Sequence, residues 1–375
     1  MKFTISTQEL NYLLNKIQNL VPLKPTTPLL SNILIEAFND ELILTATDLI
    51  VGMRCFLTDV NILEEGSTTL PAKKFAQLIR ELAYPSIEIS TNPNEITQIT
   101  AGSSRFKLHG MNKNGFPNLP DFTESFQFTI PQNELKNLLT NVSFTASKED
   151  NKYVLCGVLM QISNSAITFL GTDGKRLAKT HAPINCDASI TSSSIIPLKA
   201  VEEILKNLLD EGDAKLFIMP DKIAVDANQT ILVSKLISGE YPEVERVIPE
   251  TSTKIIPVHR EELISILRQV DLFVEDKNPS ARFTFSNGEL TLGANTVAVG
   301  EGQVAMPINY HHDVLEIALR PSFMIDFLRH CKEEIVTFGF TDSYNPGIIV
   351  DGEYTENLSH CSPLFVIMPM RLSTD

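Results

Sequence analysis

Apolar residues recur along the chain in three similar cycles. After Ser6-Thr7-Gln8-Glu9, a helix start with an N-cap residue, Leu10, Leu13, Leu14, Ile17, Leu20 and Val21 follow at helical spacing. Pro22, Pro25 and Pro28 end that helix. The run Ile33–Phe38 predicts a strand, Asn39-Asp40 a turn, and Leu42–Ala46 the returning strand. Pro71-Ala72-Lys73-Lys74 starts a second helix with Phe75, Leu78, Ile79 and Leu82 on one face. Alternating strands follow, Arg105–Leu108 among them, and the cycle closes on Phe116-Pro117-Asn118-Leu119-Pro120.

The second cycle opens at Ile130-Pro131-Gln132-Asn133-Glu134, with Leu135, Leu138, Leu139 and Val142 on one helix face. A strand predicted from Val154 to Ile162 turns at Asn164-Ser165 and returns through Ile167–Leu170. Val201, Ile204, Leu205 and Leu208 mark its second helix, and it ends near Tyr241-Pro242. The third cycle runs from Val258-His259-Arg260 through Leu263, Leu267 and Val270, turns at Asn287-Gly288, and opens its last helix at Leu319-Arg320-Pro321-Ser322. A final strand, Leu364–Met368, precedes the tail. Equivalent landmarks keep nearly constant offsets. Leu10, Leu135 and Leu263 lie 125 and 128 residues apart, the turns Asn39, Asn164 and Asn287 lie 125 and 123 apart, and Phe75, Val201 and Phe323 lie 126 and 122 apart. That period suits one domain per copy and is too long for a solenoid. Each copy then holds two helices packed on antiparallel strands, an α+β unit. Three such units in one chain suggest an arc, and arcs that join head to tail can close into a ring.

Charge and composition narrow the function classes. The 375 residues carry a formal net charge of −15, which opposes a general basic coat for nucleic acid but permits a local basic face. There is no Trp, which argues against a single-strand binder that stacks bases on aromatic rings. The five cysteines are odd in number and form no Cys-x-x-Cys pair, so neither a disulfide framework nor a zinc site is expected, and a reducing cytoplasm fits. The opening residues lack the apolar core of a secretory signal, and no run reaches membrane-span length.

The one stretch resembling catalytic chemistry is Leu170-Gly171-Thr172-Asp173-Gly174-Lys175-Arg176. Its glycines are too close for a P-loop, and Arg176 replaces the required hydroxyl residue. The first cycle has Ala46-Thr47-Asp48-Leu49 at this place, so the recurring acid reads as a turn former; a metal-dependent phosphoesterase using Asp48 and Asp173 is the alternative. His311-His312 are adjacent and cannot share a helix face as paired ligands do. Gly300-Glu301-Gly302 lacks the third glycine of a dinucleotide fingerprint, and no nucleophile elbow is present. No cofactor, metal or catalytic residue is expected. Lys73, Lys74 and Arg80 share one helix, Arg320, Arg329 and Lys332 another, and Lys24, Lys148 and Lys152 lie near the first helices of their cycles; as a set these suit phosphates without base reading. The Met-rich tail Met368-Pro369-Met370-Arg371-Leu372 suits a surface that accepts varied partners.

Together the threefold repeat, Thr172–Ala178, Phe116-Pro117-Asn118-Leu119, Ser234-Lys235-Leu236 with Tyr241-Pro242, and the ending Met368–Leu372 resemble the bacterial DNA polymerase III β subunit family, the β sliding clamps, over essentially the whole chain. The resemblance implies three clamp domains (1–121, 129–250 and 251–375) forming half of a dimeric head-to-tail ring in the cytoplasm. The ring encircles duplex DNA without reading sequence, and it has no catalysis of its own. Partners implied are the replicative polymerase α subunit, the clamp-loader δ subunit and other proteins that bind through short peptides. The implied peptide pocket is Leu155, Thr172, Gly174, Arg176, Leu177, Pro242, Val247, Val366, Met368, Pro369, Met370, Arg371 and Leu372. DNA-facing residues are Lys24, Lys73, Lys74, Arg80, Lys148, Lys152 and Lys199, and the ring interface sets Arg105, Phe106 and Leu108 against Leu272 and Phe273 of the next protomer. The chain departs from the family in three places. Val297–Gly302 replaces a glutamate-rich interface strand, Val154 and Lys175 stand where an aromatic residue and a His are usual, and Ser373-Thr374-Asp375 extends the tail.

Overall fold

A computed structural model describes the chain apart from residues 23, 24, 26, 59, 121, 123, 124, 276–278, 297–299 and 372–375, and apart from the side chains of 150–152. Among the described residues each cycle supplies two α-helices. They are α1 (Thr7–Ile17) and α2 (Ala72–Arg80), α3 (Gln132–Ser143) and α4 (Leu198–Asn207), and α5 (Arg260–Asp271) and α6 (Pro321–Leu328). The apolar spacing explains the buried faces: Leu10, Leu13, Leu14 and Ile17 on α1, Phe75 and Ile79 on α2, and Leu263, Leu267 and Val270 on α5 are all buried. The Ser6 hydroxyl accepts from the Glu9 amide to cap α1, and Pro321 sits in the first turn of α6, where its missing N–H costs nothing.

The turns follow their sequence signals. Asn39 and Asp40 have φ of 52° and 61°, and Asn164 and Ser165 have 52° and 57°, the left-handed pair that a two-residue hairpin requires. At Asn287-Gly288 only the glycine is left-handed, with φ of 81°. One expected strand starts late. Val154–Cys156 belong to a 3-10 segment, Asp150–Cys156, and the strand runs Gly157–Ser163. The reason is local: the Leu155 carbonyl accepts from the Ser147 amide, which holds the chain in a turn, and a side chain at Gly157 would collide with the Ile196 carbonyl on the neighbouring strand.

The chain folds as two compact units, residues 1–136 with 199–236, and residues 137–198 with 237–375. These units do not coincide with the sequence cycles, because each has an eight-stranded antiparallel sheet that crosses a cycle boundary. In the first unit, strand Thr230–Lys235 pairs with Val51–Leu57, setting Val233 opposite Gly52 and Ser234 opposite Val51. In the second, Leu364–Ile367 pairs with Arg176–Pro183, setting Val366 opposite Leu177 and Ile367 opposite Arg176. Each unit has a smaller sheet too. The five-stranded sheet of the first unit ends on the open edge strand Ser104–His109, and the four-stranded sheet of the second ends on Gly300–Pro307. Among the described residues no helix is long and apolar enough to cross a membrane.

Candidate binding pocket

The second unit contains a pocket of about 120 Å³ where strand Ala166–Thr172 turns into strand Arg176–Pro183. The turn is built by its own side chains. Asp173 Oδ1 accepts from the amides of Lys175 (2.9 Å) and Arg176 (3.1 Å). The Thr172 hydroxyl donates to the Arg176 carbonyl and accepts from the Gly174 amide. Gly174 has φ of 87°, a left-handed conformation that glycine takes without strain. It also lines the pocket without contributing a side chain. The final strand is tied on by the Met368 amide, which donates to the Lys175 carbonyl at 3.0 Å.

Leu177 and Val366, paired across the two strands, are both buried in the apolar cluster beneath. The linker after Ile237 lies over that cluster, and Pro242, Val244 and Val247 complete one wall. Leu155, Thr172, Gly174, Arg176 and Met368 supply the rest. Nine of the residues expected from sequence therefore meet around one cavity. Val244 joins them although no sequence signal singled it out; its offset of 125 from Leu119 is the clue that was available. Pro369, Met370 and Arg371 do not line the cavity: Met370 instead adds a bridge, its amide donating to the Ala318 carbonyl at 2.8 Å. Leu372 lies outside the described residues.

Among the described residues Arg176 is the one charged member of the lining, and each of its three guanidinium nitrogens has a partner. Nε donates to Asp173 (3.1 Å), Nη1 to Asp326 on α6 (2.8 Å), and Nη2 to the Phe144 carbonyl (2.8 Å). The group stacks over the Phe323 ring at 4.2 Å, and Arg320 lies over the same ring at 4.4 Å. Asp271, at the end of α5, faces Arg320 and Asp326. Burial raises its carboxyl above the usual range, Arg320 draws it back, and Asp326 pushes it up again.

The recurring acids have structural work at both turns. Asp48 Oδ1 accepts from the Ile50 and Val51 amides at 2.9 and 2.7 Å, and its other oxygen pairs with Lys199. Asp48 and Asp173 sit in different compact units, each capping its own turn, and among the described residues no group of three His, Cys, Asp or Glu side chains is placed to hold a metal. The phosphoesterase alternative is not supported. The remaining expected residues fall as follows. Lys73, Lys74 and Arg80 are exposed on α2, Arg80 donating to Asn15, and Lys148 is exposed in the second unit. Lys199 is spent on Asp48, while Lys24 and the Lys152 side chain lie outside the described residues. Arg105, Phe106 and Leu108 lie on the open edge strand Ser104–His109. Leu272 is 75% exposed, and Phe273 packs where a side chain at Gly302 would stand. Residues 297–299, part of the strand expected at the interface, lie outside the described residues.

Comparison with known proteins accounts for the whole chain. The DNA polymerase III β subunit models match in order: the N-terminal domain over residues 1–120, the central domain over 129–243 and the C-terminal domain over 245–371. The chain is 48% identical over 375 residues to the β sliding clamp of Chlamydia pneumoniae, covering both in full. It is 31% identical to that of Escherichia coli, over 99% of this chain and 100% of the relative. The crystal structure of a sliding clamp from Pseudomonas aeruginosa bound to griselimycin superposes with a TM-score of 0.92 at 28% identity, over 99% of this chain and 100% of that one. The chain belongs to the bacterial DNA polymerase III β subunit family, the β sliding clamps.

Proposed function

We propose that this protein is the processivity clamp of its replicase: a ring of two head-to-tail protomers that encircles duplex DNA, slides along it, and tethers the polymerase through the pocket at Thr172–Leu177. The observation that carries the pocket reading is a small apolar cavity whose mouth is kept open by a left-handed glycine and whose single charge is already neutralised. Such a site suits an extended segment with apolar side chains, and a protein with one docking site can serve the polymerase α subunit, the clamp-loader δ subunit and other partners in turn. Domain limits of 1–121, 129–250 and 251–375 are supported by the spans of the family matches. The ring reading rests on two open edge strands. Ser104–His109 carries Arg105, Lys107 and His109, while Gly300–Pro307 carries Glu301 and lies beside exposed Leu272, so a second copy can pair the two edges with opposite charge. Lys73, Lys74, Arg80, Lys148, Lys152 and Lys24 are assigned to phosphate contacts, which must be weak and exchangeable for the ring to slide, and Lys199 is left to its pair with Asp48. The setting is the cytoplasm, where the chromosome is copied.

Topology provides the test. Loaded onto a nicked circular plasmid by its clamp loader, the protein is expected to stay through gel filtration and to leave within minutes once the plasmid is linearised. Equal retention on circle and linear DNA would overturn the ring.

A further inference from the structure

The ties on Arg176 point beyond a pocket wall. An arginine lining an apolar cavity has a long stem with free rotation and a head that seeks partners, so left alone it can fold across the opening. Here the head is held on every side. Asp173 and Asp326 take Nε and Nη1, the Phe144 carbonyl takes Nη2, the Phe323 ring lies under the group, and the side chain is only 9% exposed. Two of these partners, Phe323 and Asp326, come from α6, and neither lines the cavity. The helix end is itself braced: the His330 ring stacks on Phe144 at 4.4 Å, and its Nδ1 lies 2.7 Å from the Asp326 carbonyl.

The set is absent together from the corresponding place in the first unit. Val51 stands where Arg176 does. Counted from the equivalent positions Val201 and Phe323, Ile204 stands where Asp326 does. Arginine, ring and carboxylate are all replaced by aliphatic residues, as expected if the three serve one purpose at the pocket.

We propose that Asp326 is a positioning residue for the peptide pocket: it clamps Arg176 against α6, so that the cavity stays open and its wall presents no mobile charge. The inference rests on the peptide-pocket reading and adds to it a residue that acts through the arginine. A domain III helix thereby sets the shape of a cavity whose turn belongs to domain II.

The test is fluorescence anisotropy with a labelled peptide copying the clamp-binding segment of the same organism's polymerase α subunit, on the full-length dimer. Wild-type binding must be seen first, and its absence counts against the pocket reading rather than this one. Asp326→Ala is expected to weaken binding about tenfold with thermal midpoint and dimerisation unchanged, and Asp326→Asn, which keeps an acceptor oxygen, to stay within about threefold of wild type. In an Arg176→Ala background, Asp326→Ala is expected to have no further effect, because its action passes through the arginine. Asp326→Leu, which keeps the bulk and removes the acceptor, serves as the second arm should Asp326→Ala prove unstable. Wild-type affinity in Asp326→Ala, an asparagine as weak as alanine, or losses that add in the double variant would each overturn the proposal.

Discussion

The strand exits at Thr47–Gly52 and Thr172–Leu177 have nearly the same backbone and different surfaces. In each, a threonine hydroxyl donates to the carbonyl four residues on and accepts from the amide two residues on. In each, an aspartate accepts from the amides two and three residues on. Each is tied to the next cycle by one amide: Lys235 to the Ile50 carbonyl at 2.9 Å, Met368 to the Lys175 carbonyl at 3.0 Å. The third residue is left-handed in both, Leu49 at φ of 76° and Gly174 at 87°. The side chains then diverge, with Leu49, Val51, Gly52 and Lys235 in one and Gly174, Arg176, Leu177 and Met368 in the other. Even the apolar filling changes hands. A side chain at Gly52 would overlap Leu119 of the linker, whereas in the second unit the strand supplies the bulk as Leu177 and the linker brings the smaller Val244. The shared hydrogen bonds belong to the fold, and the residues that differ between the copies are those to which the proposed peptide site is assigned.

The strongest way to break this comparison is to make one turn like the other. Gly174→Leu places a leucine at the pocket mouth in a conformation that Leu49 already shows to be accessible. A left-handed leucine costs about 1–2 kcal/mol, so the protein is expected to fold, while peptide affinity falls on the order of a hundredfold as the mouth is filled. Calorimetry and anisotropy on the same sample separate the two effects. Undiminished binding would show that the glycine matters only to the turn.

The aspartates come next in size. Asp48→Ala and Asp173→Ala each remove an acceptor serving two amides and a charged partner, Lys199 in one case and Arg176 in the other. Each is expected to cost about 1–2 kcal/mol in urea unfolding, with similar values for the two. Asp173→Ala should also weaken the peptide severalfold through Arg176, and Asp48→Ala should not. Equal peptide affinity in the two variants would mean that Arg176 does not need its Asp173 bond.

Much of this was legible in the sequence, for reasons that mark the limit as well. The helices announced themselves because each must bury one face; the hairpins did so because Asn-Asp and Asn-Ser favour left-handed turns. The pairing of Thr172-Asp173 with Thr47-Asp48 was visible as a constant offset, and it identified the acid as a turn former before any geometry was known. The Arg176 clamp was not legible, since Asp326 lies 150 residues away and no local pattern marks it as that arginine's partner. Nor was the division into two compact units. Periodicity counts copies, but the sheets pair across copies, and strand pairing over such separations leaves no signal in one chain. Val154 failed as a strand residue because β-propensity gave way to one local backbone bond, from Ser147 to Leu155.

The smallest expected effect is the reverse exchange, Leu49→Gly, and its sign depends on opposing terms. Leu49 is left-handed at φ of 76°, a conformation that costs a leucine about 1–2 kcal/mol and glycine nothing. Against that, glycine gives the unfolded chain more freedom, worth about 0.5–1 kcal/mol. The lost apolar contact costs about 1 kcal/mol more, because the side chain is 43% exposed and so about half buried. The terms cancel to within about 1 kcal/mol, so Tm is expected to stay within a degree or two of the parent for a chain of this size. Peptide binding should not change, because the first-unit turn still lacks the arginine, the linker spacing and the methionine that the second-unit site uses. A new binding equivalent in Leu49→Gly would mean that the glycine alone makes the pocket, and that the divergence at Arg176, Leu177 and Met368 is incidental.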